Sequence, residues 1–163
     1  MALLVYVDDI ILTGNDPKLC IDFKSYLDPC FHIKDLGALK YFLGIEVARD
    51  TQGVFLCQRK YAMEIIDECG LLGSKPIDSP IELNHKLALA SRKPLSNPTQ
   101  YCHLIGRLIY LTITRPELSY AIHILAQFIQ DPKEDHMEAA RKILRYLKGN
   151  PGQGILLRSD SDL

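Results

Sequence analysis

Several things are missing from this 163-residue sequence, and each absence removes a class of protein. Its five cysteines (Cys20, Cys30, Cys57, Cys69, Cys102) are odd in number and contain no Cys-x-x-Cys pair. That disfavours a disulfide framework and a zinc knuckle, and reads as buried thiols in a reducing compartment. No apolar run is long enough for a membrane span; the first, Leu3 to Val7, is cut by Asp8 and Asp9 and has no basic residue before it, so it is not a signal peptide. A phosphate-binding Gly-x-x-x-x-Gly-Lys loop, a Gly-x-Ser-x-Gly elbow, a His-Glu-x-x-His pair and internal repeats are all lacking. The five histidines are scattered.

Charge of one sign is also missing overall, with a net of -1, which argues against a nucleic-acid partner. The sum conceals an asymmetry. Residues 1–82 carry 8 Lys/Arg against 13 Asp/Glu, and residues 83–163 carry 11 against 7. An acidic half precedes a basic one. Hydrophobic residues make up 47% of the chain, enough for a folded core of one domain or two small ones.

Two β-prone runs, Leu3 to Val7 and Ile10 to Thr13, flank Asp8-Asp9 and predict a hairpin with both carboxylates at its tip. Asp16-Pro17 then predicts a helix of about three turns, with Leu19, Phe23 and Leu27 on one face. Tyr41 to Val47 and Val54 to Cys57 around the turn Asp50 to Gly53 predict a second hairpin, and Lys60 to Cys69 a helix capped by Gly70. Residues 71–96, punctuated by Pro76, Pro80 and Pro94, read as a long loop. Three helices follow, opened by Asn97-Pro98-Thr99-Gln100, by Thr114-Arg115-Pro116-Glu117 and by Asp131-Pro132, the last running to Lys148.

On a helical wheel the last helix gathers His136, Met137, Ala140, Ile143, Leu144 and Leu147 within an arc of about 120°. Arg141, Lys142, Arg145 and Lys148 fall in a separate arc. One arc packs; the other is either a solvated face or a surface that tracks phosphates.

Two adjacent carboxylates at the tip of a tight apolar hairpin repel one another, and a divalent cation relieves that cost. An ordinary aspartate turn is the competing reading of the dipeptide. The flanks bear on the choice. Tyr6-Val7-Asp8-Asp9 resembles the Tyr-x-Asp-Asp hairpin of reverse transcriptases. Lys34 to Gly37, Tyr41 to Glu46, Arg59 to Ala62, Leu104 to Thr112, Thr114 to Leu118 and Arg141 to Gly149 resemble, in order and spacing, the segments that follow it in copia-type LTR retrotransposon polyproteins.

The resemblance implies an α+β chain: part of a polymerase palm over residues 1–72, a connecting loop over 73–96, an all-α thumb-like region over 97–150, and a linker over 151–163 toward a ribonuclease H domain. It implies RNA-directed DNA polymerisation by two-metal nucleotidyl transfer, with Asp8 and Asp9 holding Mg2+ (two ions in the intact enzyme, Mn2+ as a substitute). Tyr6 and Val7 would lie near the primer terminus, Phe42, Leu43 and Gly44 would belong to a primer grip, and Arg141, Lys142, Arg145 and Lys148 would contact template-primer. The implied partners are template-primer, dNTP, and the integrase and ribonuclease H regions of the polyprotein, in the cytoplasm, a virus-like particle or the nucleus and away from membranes. Asp160 and Asp162 read as linker rather than nuclease ligands. Met1 and Ala2 stand directly against the first apolar run, as at a fragment boundary, with the fingers and a further catalytic aspartate expected upstream. The chain alone is therefore expected to be inactive. A non-catalytic nucleic-acid-binding or interaction module, and a relic without function, remain the alternatives.

Overall fold

In the computed structural model, which describes residues 1–82, 85–90 and 93–161, helices and strands are mixed and the chain divides into two units, Met1–Leu43 and Gly44–Leu163. The first unit opens with β1 (Ala2–Tyr6) and β2 (Asp9–Thr13), paired antiparallel from Ala2 opposite Thr13 to Tyr6 opposite Asp9. Val7 and Asp8 are left as a two-residue turn. Helix α1 (Pro17–Phe31) follows, started by the Asp16 carboxylate, which accepts from the Lys18 and Leu19 N–H groups at 2.9 and 3.2 Å. It is longer than the leucine spacing predicted, because the chain stays helical through Pro29 and stops only where His32 turns left-handed. No residue of α1 is buried. Lys24 reaches Asp35 at 2.7 Å, and a short strand, β3 (Tyr41–Phe42), closes the unit.

The second unit begins with a sheet whose strands follow one another antiparallel: β4 (Ile45–Asp50), β5 (Gly53–Cys57) and β6 (Gly154–Arg158). The Asp50 carboxylate accepts from the Gln52 and Gly53 N–H groups at 2.8 and 3.1 Å, which fixes the β4–β5 turn. Glycine is required where β5 and β6 approach. A β-carbon on Gly53 would lie 2.0 Å from the Leu157 carbonyl oxygen, and one on Gly154 would lie 2.1 Å from that of Leu56. Residues 151–163 are therefore not simply a linker. Ile155, Leu156 and Leu157 pair with β5, a partner some hundred positions earlier that local pattern does not reveal. Asp160 binds Arg158 through two bonds of 2.8 and 2.7 Å at the end of this strand, and Asp162 lies outside the described residues.

Helix α2 (Arg59–Glu68) starts where Glu46 of β4 accepts from the Lys60 N–H at 2.9 Å, and it ends at Gly70, whose positive φ of 68° bears out the expected glycine stop. Helix α3 (Pro98–Leu111) is capped by Asn97, as its sequence predicted. The next two starts differ from expectation. Thr114 does not cap a helix: its hydroxyl donates to Gln58 at 2.9 Å, Pro116–Leu118 forms a 3₁₀ turn, and α4 (Ser119–Ala126) begins afterwards. Helix α5 (Glu134–Gly149) starts two residues late because the Pro132 carbonyl accepts from Leu95 N–H and the Glu134 N–H donates to the Lys93 carbonyl.

These helices surround one core. Ala62, Ile65 and Ile66 of α2 meet Leu104, Ile105, Leu108 and Leu111 of α3, Ile122 and Leu125 of α4, and the apolar face of α5. The predicted inward arc is borne out in full, since His136, Met137, Ala140, Ile143, Leu144 and Leu147 are the buried residues of α5. Tyr101 is wholly buried and donates its hydroxyl to the Leu125 carbonyl at 2.8 Å. Because α2 joins this core, the structural division falls at Leu43–Gly44 and not at residue 72.

Arg115 staples the turn after α3 to the end of α5. Only 2% exposed, it bonds Glu117 at 2.6 Å and the Asn150 carbonyl at 2.9 Å, with Tyr146 below its guanidinium at 5.9 Å. Arg115→Met deprives the Asn150 carbonyl of this donor while the exposed Glu117 carboxylate is solvated instead, so the variant should cost about 1–3 kcal/mol in urea unfolding. The exposed Arg158→Met is expected to cost less than about 1 kcal/mol in the same assay.

Candidate functional site

The hairpin tip is built from a conformational conflict. Val7 has φ 51°, so the first residue of the turn is left-handed while Asp8 is not among the positive-φ residues, the φ pattern of a type II′ turn that ordinarily takes glycine. A β-branched residue there carries strain of about 1–2 kcal/mol. Such strain is found where a turn has a task beyond connection.

Asp8 and Asp9 are both exposed, and neither carboxylate has a hydrogen-bond or ion-pair partner among the described residues. Tyr6 and Val7 beside them are 55% and 79% exposed. No group of three or more His, Cys, Asp or Glu side chains suited to a metal occurs among the described residues. The donor set is thus an open carboxylate pair. It fits Mg2+, which is commonly held by one or two carboxylates with substrate phosphates and water completing its shell.

Phe42, Leu43 and Gly44 form the end of β3 and the tight turn into β4. Leu43 and Gly44 both have positive φ, 49° and 84°, as a type I′ turn needs. Gly44 faces two rings: a β-carbon there would lie 3.7 Å from Tyr110 and 3.9 Å from Tyr61. Those rings meet edge to face at 5.3 Å, with the Arg107 guanidinium 5.1 Å from the Tyr61 centroid. Sequence reasoning assigned no role to Tyr61, Arg107 or Tyr110. Their helical positions were legible, but their convergence on Gly44 depends on how α2 packs on α3.

The four cations of α5 do share one face, and three of them are already engaged. Lys142 pairs with Glu82 at 2.7 Å, the Arg145 Nε donates to the Lys75 carbonyl at 2.9 Å, and the Lys148 Nζ donates to the carbonyls of Leu72 and Ser74. The Ile77 N–H returns a bond to the Arg145 carbonyl. Residues 72–82 therefore form a strap along the basic face. Lys142 holds the exposed Glu82 carboxyl below its ordinary value of 4.5, so this pair contributes above that pH and is lost as acid protonates Glu82. Arg141 alone of the four has neither hydrogen bond nor ion pair among the described residues.

A family model described as reverse transcriptase (RNA-dependent DNA polymerase) matches residues 1–83. The retrovirus-related Pol polyprotein from transposon RE1 of Arabidopsis thaliana is 43% identical over 161 residues, covering 99% of this chain and 11% of that protein. The corresponding polyprotein from transposon TNT 1-94 of Nicotiana tabacum is 31% identical over 161 residues, 93% of this chain and 12% of its own. An uncharacterized mitochondrial protein of Arabidopsis thaliana is 37% identical over 163 residues and is covered over 68% of its length. The chain thus spans about a tenth of the Pol polyproteins it matches. No solved structure matches it.

If the turn at Val7 is strained as described, Val7→Gly should stabilise the hairpin by about 0.5–1 kcal/mol, the relieved strain exceeding the entropy glycine adds to the unfolded chain. Amide exchange of β1 and β2 measures this directly. Slower exchange is expected, and unchanged or faster exchange would show the turn to be unstrained.

Proposed function

The chain belongs to the reverse transcriptase family, within the Pol polyproteins of copia-type retrotransposons, and from that premise we propose that it carries part of a nucleotidyl-transfer site and part of the surface that holds template-primer. The observation that carries this reading is the Tyr6-Val7-Asp8-Asp9 turn: two exposed carboxylates without a partner among the described residues, on a hairpin whose turn holds a left-handed valine.

Asp8 and Asp9 would hold Mg2+, with Mn2+ as a substitute. When bound, such ions supply charge compensation at the reacting phosphoryl group. The protein's own part is positioning. The β1–β2 register puts Asp9 opposite Tyr6 at the start of β2 and Asp8 beside it on the two-residue turn, which suits a reaction governed by placement and electrostatics. Tyr6 and Val7, exposed beside the carboxylates, would lie against the primer terminus. Phe42, Leu43 and Gly44 would act as a grip on the primer, Gly44 being set by the Tyr61 and Tyr110 rings.

In this reading the hairpin and the grip-like turn serve as palm elements, residues 73–96 connect them onward, and the helices from 97 to 149 serve as a thumb. Template-primer and dNTP are the substrates, and the integrase and ribonuclease H regions are neighbours within the polyprotein. The carboxylate pair has no third metal ligand among the described residues, so a further carboxylate must come from elsewhere in the polyprotein. The second unit has a buried core of its own, which favours, as a second reading, a nucleic-acid-binding module without catalysis.

The test is a chimaera in which residues 1–83 replace the matching segment of the RE1 polyprotein's reverse transcriptase. It should extend a DNA primer on an RNA template with Mg2+, and Asp8→Asn should reduce extension by at least about a hundredfold. The 163-residue chain by itself should not extend the primer. A chimaera whose activity survives Asp8→Asn would overturn the assignment of the carboxylates.

A further inference from the structure

The strap over α5 engages three of the four cations of the basic face, and it directs attention to Arg141, which it does not touch. Arg141 lines an open cleft of about 140 Å³ between α2, α3 and α5. Arg107, His103 and Gln100 of α3 line the same cleft, with Cys69 and Glu68 at the end of α2. All belong to the second unit and rest on its helical core.

The charges in this cleft are not balanced. Glu68 answers Arg107, which is further held by Tyr61, and nothing among the described residues answers Arg141. Both guanidinium groups lie close enough to the Cys69 thiol to favour its ionised form, although burial outweighs them and raises its pKa. The floor is apolar, formed by Ile65, Leu104 and Met137. A fixed guanidinium, a second guanidinium, an imidazole and an amide therefore line one concave site, where several donors can reach the same anion. A lone carboxylate among these groups is already neutralised by its arginine.

We propose that this cleft binds a phosphate group of a nucleic-acid backbone, with Arg141 as its principal contact and Arg107, His103 and Gln100 as supporting donors. The proposal rests on the function assigned above and places its backbone contact in the cleft instead of along the basic face of α5. Lys142, Arg145 and Lys148 hold the strap; Arg141 holds the ligand. The strap carbonyls at Leu72, Ser74 and Lys75 already take bonds from Lys148 and from the Arg145 Nε.

The experiment measures binding of the 163-residue chain to a fluorescein-labelled RNA–DNA duplex as a function of salt. Wild type should show a log–log salt dependence, and Arg141→Gln should reduce its slope by about one while weakening binding. Lys142→Gln and Arg145→Gln should leave the slope unchanged. In parallel, the duplex should slow alkylation of Cys69, read by mass spectrometry against the exposed Cys30, which reports on the cleft even if a variant folds poorly. Duplex binding that Arg141→Gln leaves intact, or a slope loss shared equally by Arg145→Gln, overturns the cleft alone. Absence of salt-dependent binding by wild type overturns the functional reading as well. Protection of Cys69 by inorganic phosphate but not by the duplex overturns the assignment to a nucleic-acid backbone.

Discussion

Helix α5 is the element on which the second unit depends, because two adjoining arcs of one amphipathic helix do two different jobs. Its apolar arc is buried from His136 to Leu147, and α2, α3 and α4 all pack against it. Each fully buried leucine or isoleucine there contributes about 1.5–3 kcal/mol, so this face accounts for much of the core. Its cationic arc then fastens residues 72–82 by bonds to backbone carbonyls and to Glu82. A long connection without helical periodicity is thereby held on the helical core. The same bonds engage three of the four cations that the sequence offers for nucleic acid, and Arg141 has no such bond among the described residues.

The first unit obeys a different rule. Its apolar side chains are half-exposed or exposed, α1 buries nothing, and its turn holds a valine where glycine would be easier. Stability resides in the helices and the candidate chemistry in the hairpin. A surface of this kind is suited to receiving further chain, consistent with a segment that spans about a tenth of the polyproteins it resembles.

What could be read in advance divides by sequence distance. The hairpin, the Asn97 cap, the Gly70 stop and the buried arc of α5 are local patterns, and each is found in the structure. The missed features all involve distant partners. Strand β6 needs β5, the strap bonds join positions 60 to 76 residues apart, and Thr114 is taken from its expected cap by Gln58, 56 residues away. The start of α5 is delayed by backbone pairing with residues 93–95. The carboxylate pair was legible because its two members are adjacent, whereas the cleft beside Arg141 was not, because its residues come from three helices.

The claim at the centre of this account is that the turn at Asp8-Asp9 is built to hold a divalent cation. Paramagnetic Mn2+ titrated into the chain tests it most directly, since the relaxation it causes detects even weak occupancy at assigned amides. The account predicts that the signals of Val7, Asp8 and Asp9 broaden first, well before those of Asp35 and Glu82, and that Asp8→Asn with Asp9→Asn abolishes the preference. Broadening spread evenly over the exposed carboxylates, or undiminished in the double variant, would contradict it.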